Sequence, residues 1–272
     1  MSKDELGDRM KRYEGVTRTY LTRRTPAIIR LDGKAFHTFT RGFKKPFDNI
    51  MVTAMQETMR YLCENIQGCV LGYTQSDEIT LVLADWQKLT TAAWFDYNIQ
   101  KCVSVAASMA TLAFNREFLD ILSVQSNVLY NEDPEYFESL DYAYEKGALF
   151  DARIFSIPKE EVCNCVLWRQ QDATRNSVEA VAQAHFSARE LHCKDQKAML
   201  SMLKEKHDID WSADFPLHLQ RGSCCVKEKY FVEGPNGEQV QRSRWVVDKE
   251  IPLFVGEGRE YIESRLVFKE GD

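Results

Sequence analysis

Three carboxylates of this chain fall where strands should end. Asp32 closes the apolar run AIIRLDG (27–33) and is followed by Gly33. Asp77 and Glu78 stand side by side in YTQSDEITLVL (73–83), where an extended pattern breaks and resumes as at a hairpin corner. No Lys or Arg flanks them, and adjacent carboxylates repel. Two readings stay open: a solvated turn, or ligands for a cation. Carboxylates converging at a sheet edge suit Mg²⁺, which takes hard oxygen donors, keeps several waters and shares its shell with substrate phosphates. Gly33 lets the backbone approach such a phosphate, and the amides of Lys34, Ala35, Phe36 and His37 are placed to cradle it. Lys44-Lys45-Pro46, just beyond, is either a solvated basic loop or a point-charge clamp for a triphosphate.

These residues need a scaffold. Residues 4–14 fit a short amphipathic helix, and Thr25-Pro26 ends it before the strand 27–33. Asp48 is placed to cap a helix through about Ile66, with Met51, Met55, Met59, Leu62 and Ile66 on one face. Strands follow at 69–74 and 79–83, then a helix at about 91–114, rich in small residues. Residues 115–145 hold 1 Lys/Arg against 8 Asp/Glu, and 115–147 reads as a solvated acidic excursion. A strand at 148–157 completes the order strand, helix, strand, strand, helix, strand. The fold class expected is α+β, a ferredoxin-like βαββαβ core. In that topology the strands ending at Asp32 and Asp77 are neighbours. Residues 1–157 form this core; 158–272 add helices (158–206) and a β-hairpin (221–247) turning at GPNGE (234–238), packed back as one unit.

With 272 residues, 44% of them apolar, the chain can bury a substantial core. The net charge of −6 provides no global basic field for nucleic acid, yet residues 1–60 carry 13 Lys/Arg against 7 Asp/Glu. MSKDELGDRMKR is too polar for a secretory leader, and no run of about 18 apolar residues exists. The eight cysteines form no CxxC pair and read as reduced thiols in a cytoplasmic protein. Cys163, Cys165, His192 and Cys193 fit no zinc finger or ribbon spacing.

Five motifs in order, IRLDGKAFHTF (29–39), KPFD (45–48), YTQSDE (73–78), WRQQDATRNS (168–177) and QRGSC (220–224), carry a resemblance to the tRNA(His) guanylyltransferase family of 3′–5′ polymerases. The resemblance implies a nucleotidyltransferase with a polymerase-palm-like core that extends the 5′ end of tRNA, uses ATP and GTP or other NTPs, and works as a homotetramer with two Mg²⁺ ions. It implies metal binding by Asp32, the Gly33 carbonyl and Asp77, with Glu78 at the next acidic position. It implies nucleotide contacts from Lys34, Ala35, Phe36, His37, Lys45 and Ser76, and places Asp48 near the site. The run Thr174–Ala180 lacks the eukaryotic His-Ile-Asn-Asn-Leu-Tyr-Asn form and is similar to the bacterial and archaeal guanylyltransferase-like branch, which repairs 5′-truncated tRNA by templated addition. The later Lys-Asn-Glu element is missing; Lys197 stands nearby. Arg175, Asn176, Arg189, Lys194 and Lys197 are candidate RNA contacts. Arg18, Arg23, Arg24, Arg41 and Lys44 would join them along a groove in a multimer. Trp168 and Tyr73 could stack a base, though core packing is the simpler job.

Two rivals remain. A palm-fold nucleotide cyclase shares the two-metal carboxylates but does not need the region after 158. A non-catalytic RNA-binding protein would not need intact Asp32, Asp77 and Glu78.

Overall fold

The computed structural model describes residues 5–233 and 237–267. A short helix α1 (Glu5–Gly15) precedes strand β1 (Ala27–Gly33). One turn of helix, α2 (Phe36–Phe39), leads to α3 (Asn49–Asn65), then the hairpin β2 (Cys69–Gln75) and β3 (Glu78–Leu83). Helices α4 (Ile99–Glu132) and α5 (Pro134–Lys146) return the chain to β4 (Phe150–Ser156). Beyond it come α6 (Val162–His185), α7 (Ala188–Leu191), α8 (Gln196–His207), α9 (Trp211–Asp214), α10 (Leu217–Arg221) and the hairpin β5 (Ser223–Glu233) and β6 (Gln239–Asp248). Residues 234–236 of the expected turn lie outside the described residues.

The six strands form one antiparallel sheet in the order β4-β1-β3-β2-β5-β6. Its first four strands, with α3 joining β1 to β2 and α4 leading from β3 to β4, have the order expected from the sequence. Alternation of side chains along each strand gives the sheet two covered faces. On one, Ile29, Leu31, Ile79 and Leu81 pack with Met55, Met59 and Leu62 of α3 and Ala106, Ala110 and Phe114 of α4. On the other, Ile28, Val82 and Tyr73 pack with Val162 and Val166 of α6 and with Phe254 and Ile262 near the carboxyl end. The region after 158 therefore extends the sheet through β5, which pairs with β2, and covers its second face.

The acidic stretch differs from its reading. The helix expected at 91–114 runs from Ile99 to Glu132, capped by the Asn98 side chain, and α5 folds back along it. Phe114, Phe118 and Leu122 continue the apolar stripe at i, i+4 and i+8, so the core extends under a surface that carries the charge. Asp133 caps α5 with Pro134 in its first turn, and Tyr136, Leu140 and Ala143 are its buried face. The stretch is a packed helical hairpin.

Candidate active site

The end of β1 and the β2–β3 corner meet. The Gly33 amide donates to the Asp77 carbonyl at 3.1 Å, and Asp32 pairs in register with Glu78 on one side and Asp151 on the other. Asp77 is half-buried in the turn. Its carboxyl is raised above the ordinary carboxylate range, first by burial and then by the charges of Asp32 and Glu78, with the Ser76 hydroxyl at 3.1 Å opposing. The ends of the two strands therefore meet through the backbone, and Asp77 feels Asp32 as a like charge.

Glu78 behaves otherwise. It does have cationic partners: Arg30 at 3.0 Å and Arg169 of α6 at 2.8 Å, both with side chains at most 16% exposed. Arg30 lies two residues before Asp32 on the same strand face, and Arg169 comes from the helix that covers this face, so sequence neighbours could not reveal the pairing. Arg169 also reaches Asp172 at 2.5 Å, and Asp172 pairs with Arg175. Arg30 and Arg169 lie over Trp168, 5.0 and 4.4 Å from the ring centroid. Trp168 is half-exposed and stacks cations rather than filling the core, whereas Tyr73 is buried and donates to the Arg221 carbonyl at 2.8 Å.

A cavity of about 550 Å³ opens at this corner. It is lined by Gly33, Ala35, Phe36, His37, Lys45, Ser76, Asp77 and Asn176 among the expected residues; Asp32, Lys34, Glu78, Arg175, Arg189, Lys194 and Lys197 do not line it. Arg189, Lys194 and Lys197 are exposed around α7 and α8. Of the other basic residues, Arg18 pairs with Glu14 and Arg23 with Asp96, and the Arg24 guanidinium bonds the Leu89 carbonyl at 2.9 Å.

The loop after β1 is shaped for close approach. A Cβ on Gly33 would stand 2.2 Å from the Phe36 ring, which packs against Phe39, Phe114 and Phe150. Phe36 is therefore an anchor. Ala35 sits in the left-handed region at φ 55° and starts α2. The expected amide cradle is smaller than read: the Lys34 amide donates to the Leu149 carbonyl at 2.8 Å, because β4 begins alongside. The amides of Ala35, Phe36 and His37 have no protein acceptor among the described residues.

Asp48 caps α3 as expected, accepting from the Ile50 and Met51 amides at 3.0 Å. Its other oxygen takes the Lys44 amide at 3.1 Å and the Tyr136 hydroxyl at 2.6 Å, so this carboxylate is fully engaged. Lys45 is exposed and has no ion-pair partner among the described residues. The sequence reading missed Gln56, Ser223 and His218 in the cavity wall. Gln56 donates to Ser223 at 2.9 Å with both residues buried, and a lone amide in the methionine-rich stripe of α3 was the available signal. Burial, and the nearby Lys249, hold His218 below its ordinary pKa.

Among the described residues no three His, Cys, Asp or Glu side chains gather as a metal cage. The donor set is two carboxylates, one of them raised chiefly by burial, beside a backbone loop. That suits Mg²⁺ completed by water and phosphate oxygens.

An antiparallel α+β sheet, a carboxylate corner, a loop with open amides and an unpaired lysine around one cavity define an enzyme that handles nucleotides. Residues 7–158 match the family profile described as tRNAHis guanylyltransferase, Thg1. A solved structure titled as a bacterial tRNA(His) guanylyltransferase (Thg1)-like protein in complex with ATP is 40% identical, with a TM-score of 0.79 over 97% of this chain and 100% of that one. A GTP complex under the same description is 39% identical, with a TM-score of 0.75. An uncharacterised protein of Acanthamoeba polyphaga mimivirus is 31% identical over 83% of this chain and 78% of its own length. The chain spans 44% of the probable tRNA(His) guanylyltransferase of Mus musculus, at 28% identity. This chain belongs to the tRNAHis guanylyltransferase family of nucleotidyltransferases.

Proposed function

We propose that this chain adds nucleotides to the 5′ end of tRNA in the 3′–5′ direction, guided by the opposing strand, and so repairs 5′-truncated tRNA in the cytoplasm. The observation that carries this is the cavity at the β1 end and hairpin corner, where Gly33, Asp77, Lys45 and the open amides of Ala35–His37 meet. The relatives solved with ATP and with GTP cover nearly the whole chain and support an NTP in this position. The likeness to the bacterial Thg1-like protein over nearly the whole chain, together with the Thr174–Ala180 run, supports the bacterial-type branch and templated repair.

Asp32, Asp77 and the Gly33 carbonyl would hold two Mg²⁺ ions on a palm-like core. When bound, the metal supplies activation of the attacking 3′-hydroxyl and neutralisation of the leaving pyrophosphate. The amides of Ala35, Phe36 and His37 orient the triphosphate, and Lys45 adds a point charge. Glu78, neutralised by Arg30 and Arg169, holds the corner that presents Asp77. Asn176 faces the same cavity from α6. Leu6, Met10 and Tyr13 of α1 are 45–68% exposed, a surface that a homotetramer would cover.

The test is incubation of the full chain with Mg²⁺, labelled NTPs and a tRNA lacking its first nucleotide, beside full-length tRNA(His), with Asp77→Ala as control. Template-matched 5′ extension lost in Asp77→Ala is the expected result. Addition of a single G to tRNA(His) alone would replace repair by the eukaryotic-type activity. A cyclic or linear dinucleotide from NTP without RNA would indicate the cyclase.

A further inference from the structure

The acidic α4–α5 hairpin touches the cavity loop at three places. A Cβ on Gly42, itself at φ +86°, would lie 2.3 Å from the Ser139 hydroxyl of α5. The Lys44 ammonium stands 3.8 Å from Asp133 and 4.4 Å from the centroid of the Tyr136 ring. The Tyr136 hydroxyl donates at 2.6 Å to Asp48, the carboxylate that also receives the Lys44 amide and caps α3. Residues 44–48 all line the cavity. Between these anchors Lys45 is exposed and unpaired.

The two adjacent lysines therefore have different situations. Lys44 also lines the cavity, but its ammonium stands beside Asp133 and over the Tyr136 ring of α5. Lys45 keeps its charge for the cavity. We propose that Tyr136 is a positioning residue for the triphosphate: by fixing Asp48 and, through it, the Lys44 backbone, it sets where the Lys45 ammonium stands. The acidic hairpin is then the outer wall of the phosphate site. This rests on the nucleotide reading of the cavity above.

A hydrogen bond to a charged acceptor contributes enough that its loss, transmitted to binding, weakens it about tenfold. Binding of GTP and ATP with Mg²⁺, and of guanosine and adenosine, is measured by calorimetry on the full chain, with KM and kcat for addition. Tyr136→Phe is expected to weaken both triphosphates about tenfold, raise KM in proportion, leave kcat within about twofold and leave the nucleosides unchanged. In a Lys45→Ala background the same substitution is expected to have almost no further effect. Tyr142→Phe, on the exposed side of α5, is expected to match the wild type. An equal loss for nucleosides, or an undiminished effect in the Lys45→Ala background, overturns the proposal. Wild-type affinity for the triphosphates with an unaltered Tyr136→Phe overturns this inference alone; no wild-type affinity overturns the site reading and this inference with it.

Discussion

Replacing Arg169 by methionine tests whether a buried cation holds the hairpin corner. Arg169 is 7% exposed, bonds Glu78 at 2.8 Å and Asp172 at 2.5 Å, and lies over Trp168. Each charge-assisted hydrogen bond contributes roughly 1.5–3 kcal/mol. Two effects oppose the loss. The guanidinium no longer has to be desolvated, and its Nε, which finds no acceptor, disappears. Moreover, Glu78 keeps Arg30 and Asp172 keeps Arg175, and the two carboxylates remain 29% and 27% exposed, so neither is left bare. The net cost should be about 2 kcal/mol, a fall of roughly 4–8 °C in Tm for a chain of this size. Arg175→Met removes the 54% exposed partner of the same Asp172, a surface pair that contributes less than about 1 kcal/mol. Urea unfolding of both variants, with the slope checked against wild type, makes the comparison. An Arg169→Met protein no less stable than Arg175→Met would refute the buried network. If it is less stable as expected, 5′ addition should also fall, because Asp77 precedes the residue that has lost its clamp.

Asp77 gives a pH-linked prediction. A carboxyl raised above its unfolded value contributes stability below the unfolded pKa and loses it as pH rises through the folded one, so at neutral pH ionised Asp77 destabilises the metal-free fold. Asp77→Asn should raise the metal-free Tm at neutral pH and abolish the further rise that Mg²⁺ gives the wild type; a lowered metal-free Tm would contradict this. Gly33→Ala drives a methyl to 2.2 Å from a Phe36 ring packed on three other rings, and should cost about 1–3 kcal/mol in unfolding experiments and weaken NTP binding. Asp48→Ala removes a cap that contributes about 1 kcal/mol and leaves the buried Tyr136 hydroxyl without its acceptor, so chemical denaturation should show a loss of about 3 kcal/mol.

Much of the fold was legible because its elements declare themselves locally. AIIRLDG, the methionine stripe of α3 and the two halves of YTQSDEITLVL each carry one dominant periodicity, and their order sets the strand neighbours that bring Asp32 to Asp77. The acidic helical hairpin was not legible, because its charge density masked Phe114, Phe118 and Leu122, which continue the apolar stripe of α4. Nor could Asp48 show that it would take a hydroxyl from a tyrosine far along the chain. The signals that were available are single polar residues inside apolar stripes: Arg30 in β1 and Gln56 in α3, each of which demands a partner.

The Asp77-Glu78 dipeptide shows why a sequence reading of two adjacent carboxylates treats them alike and a fold does not. Glu78 is the first residue of β3, and strand alternation commits its side chain to the sheet face that α6 covers. There Arg30 and Arg169 neutralise it. Asp77 is the last residue of the turn, free of that alternation, and lines the cavity. It receives no cation among the described residues and feels Asp32 and Glu78 as like charges. One carboxylate is thereby satisfied by the protein and the other left raised, chiefly by burial and further by its acidic neighbours. On the proposed metal reading that difference has a use: the clamped charge would hold the corner, and the one without a cationic partner would be free to take a divalent cation.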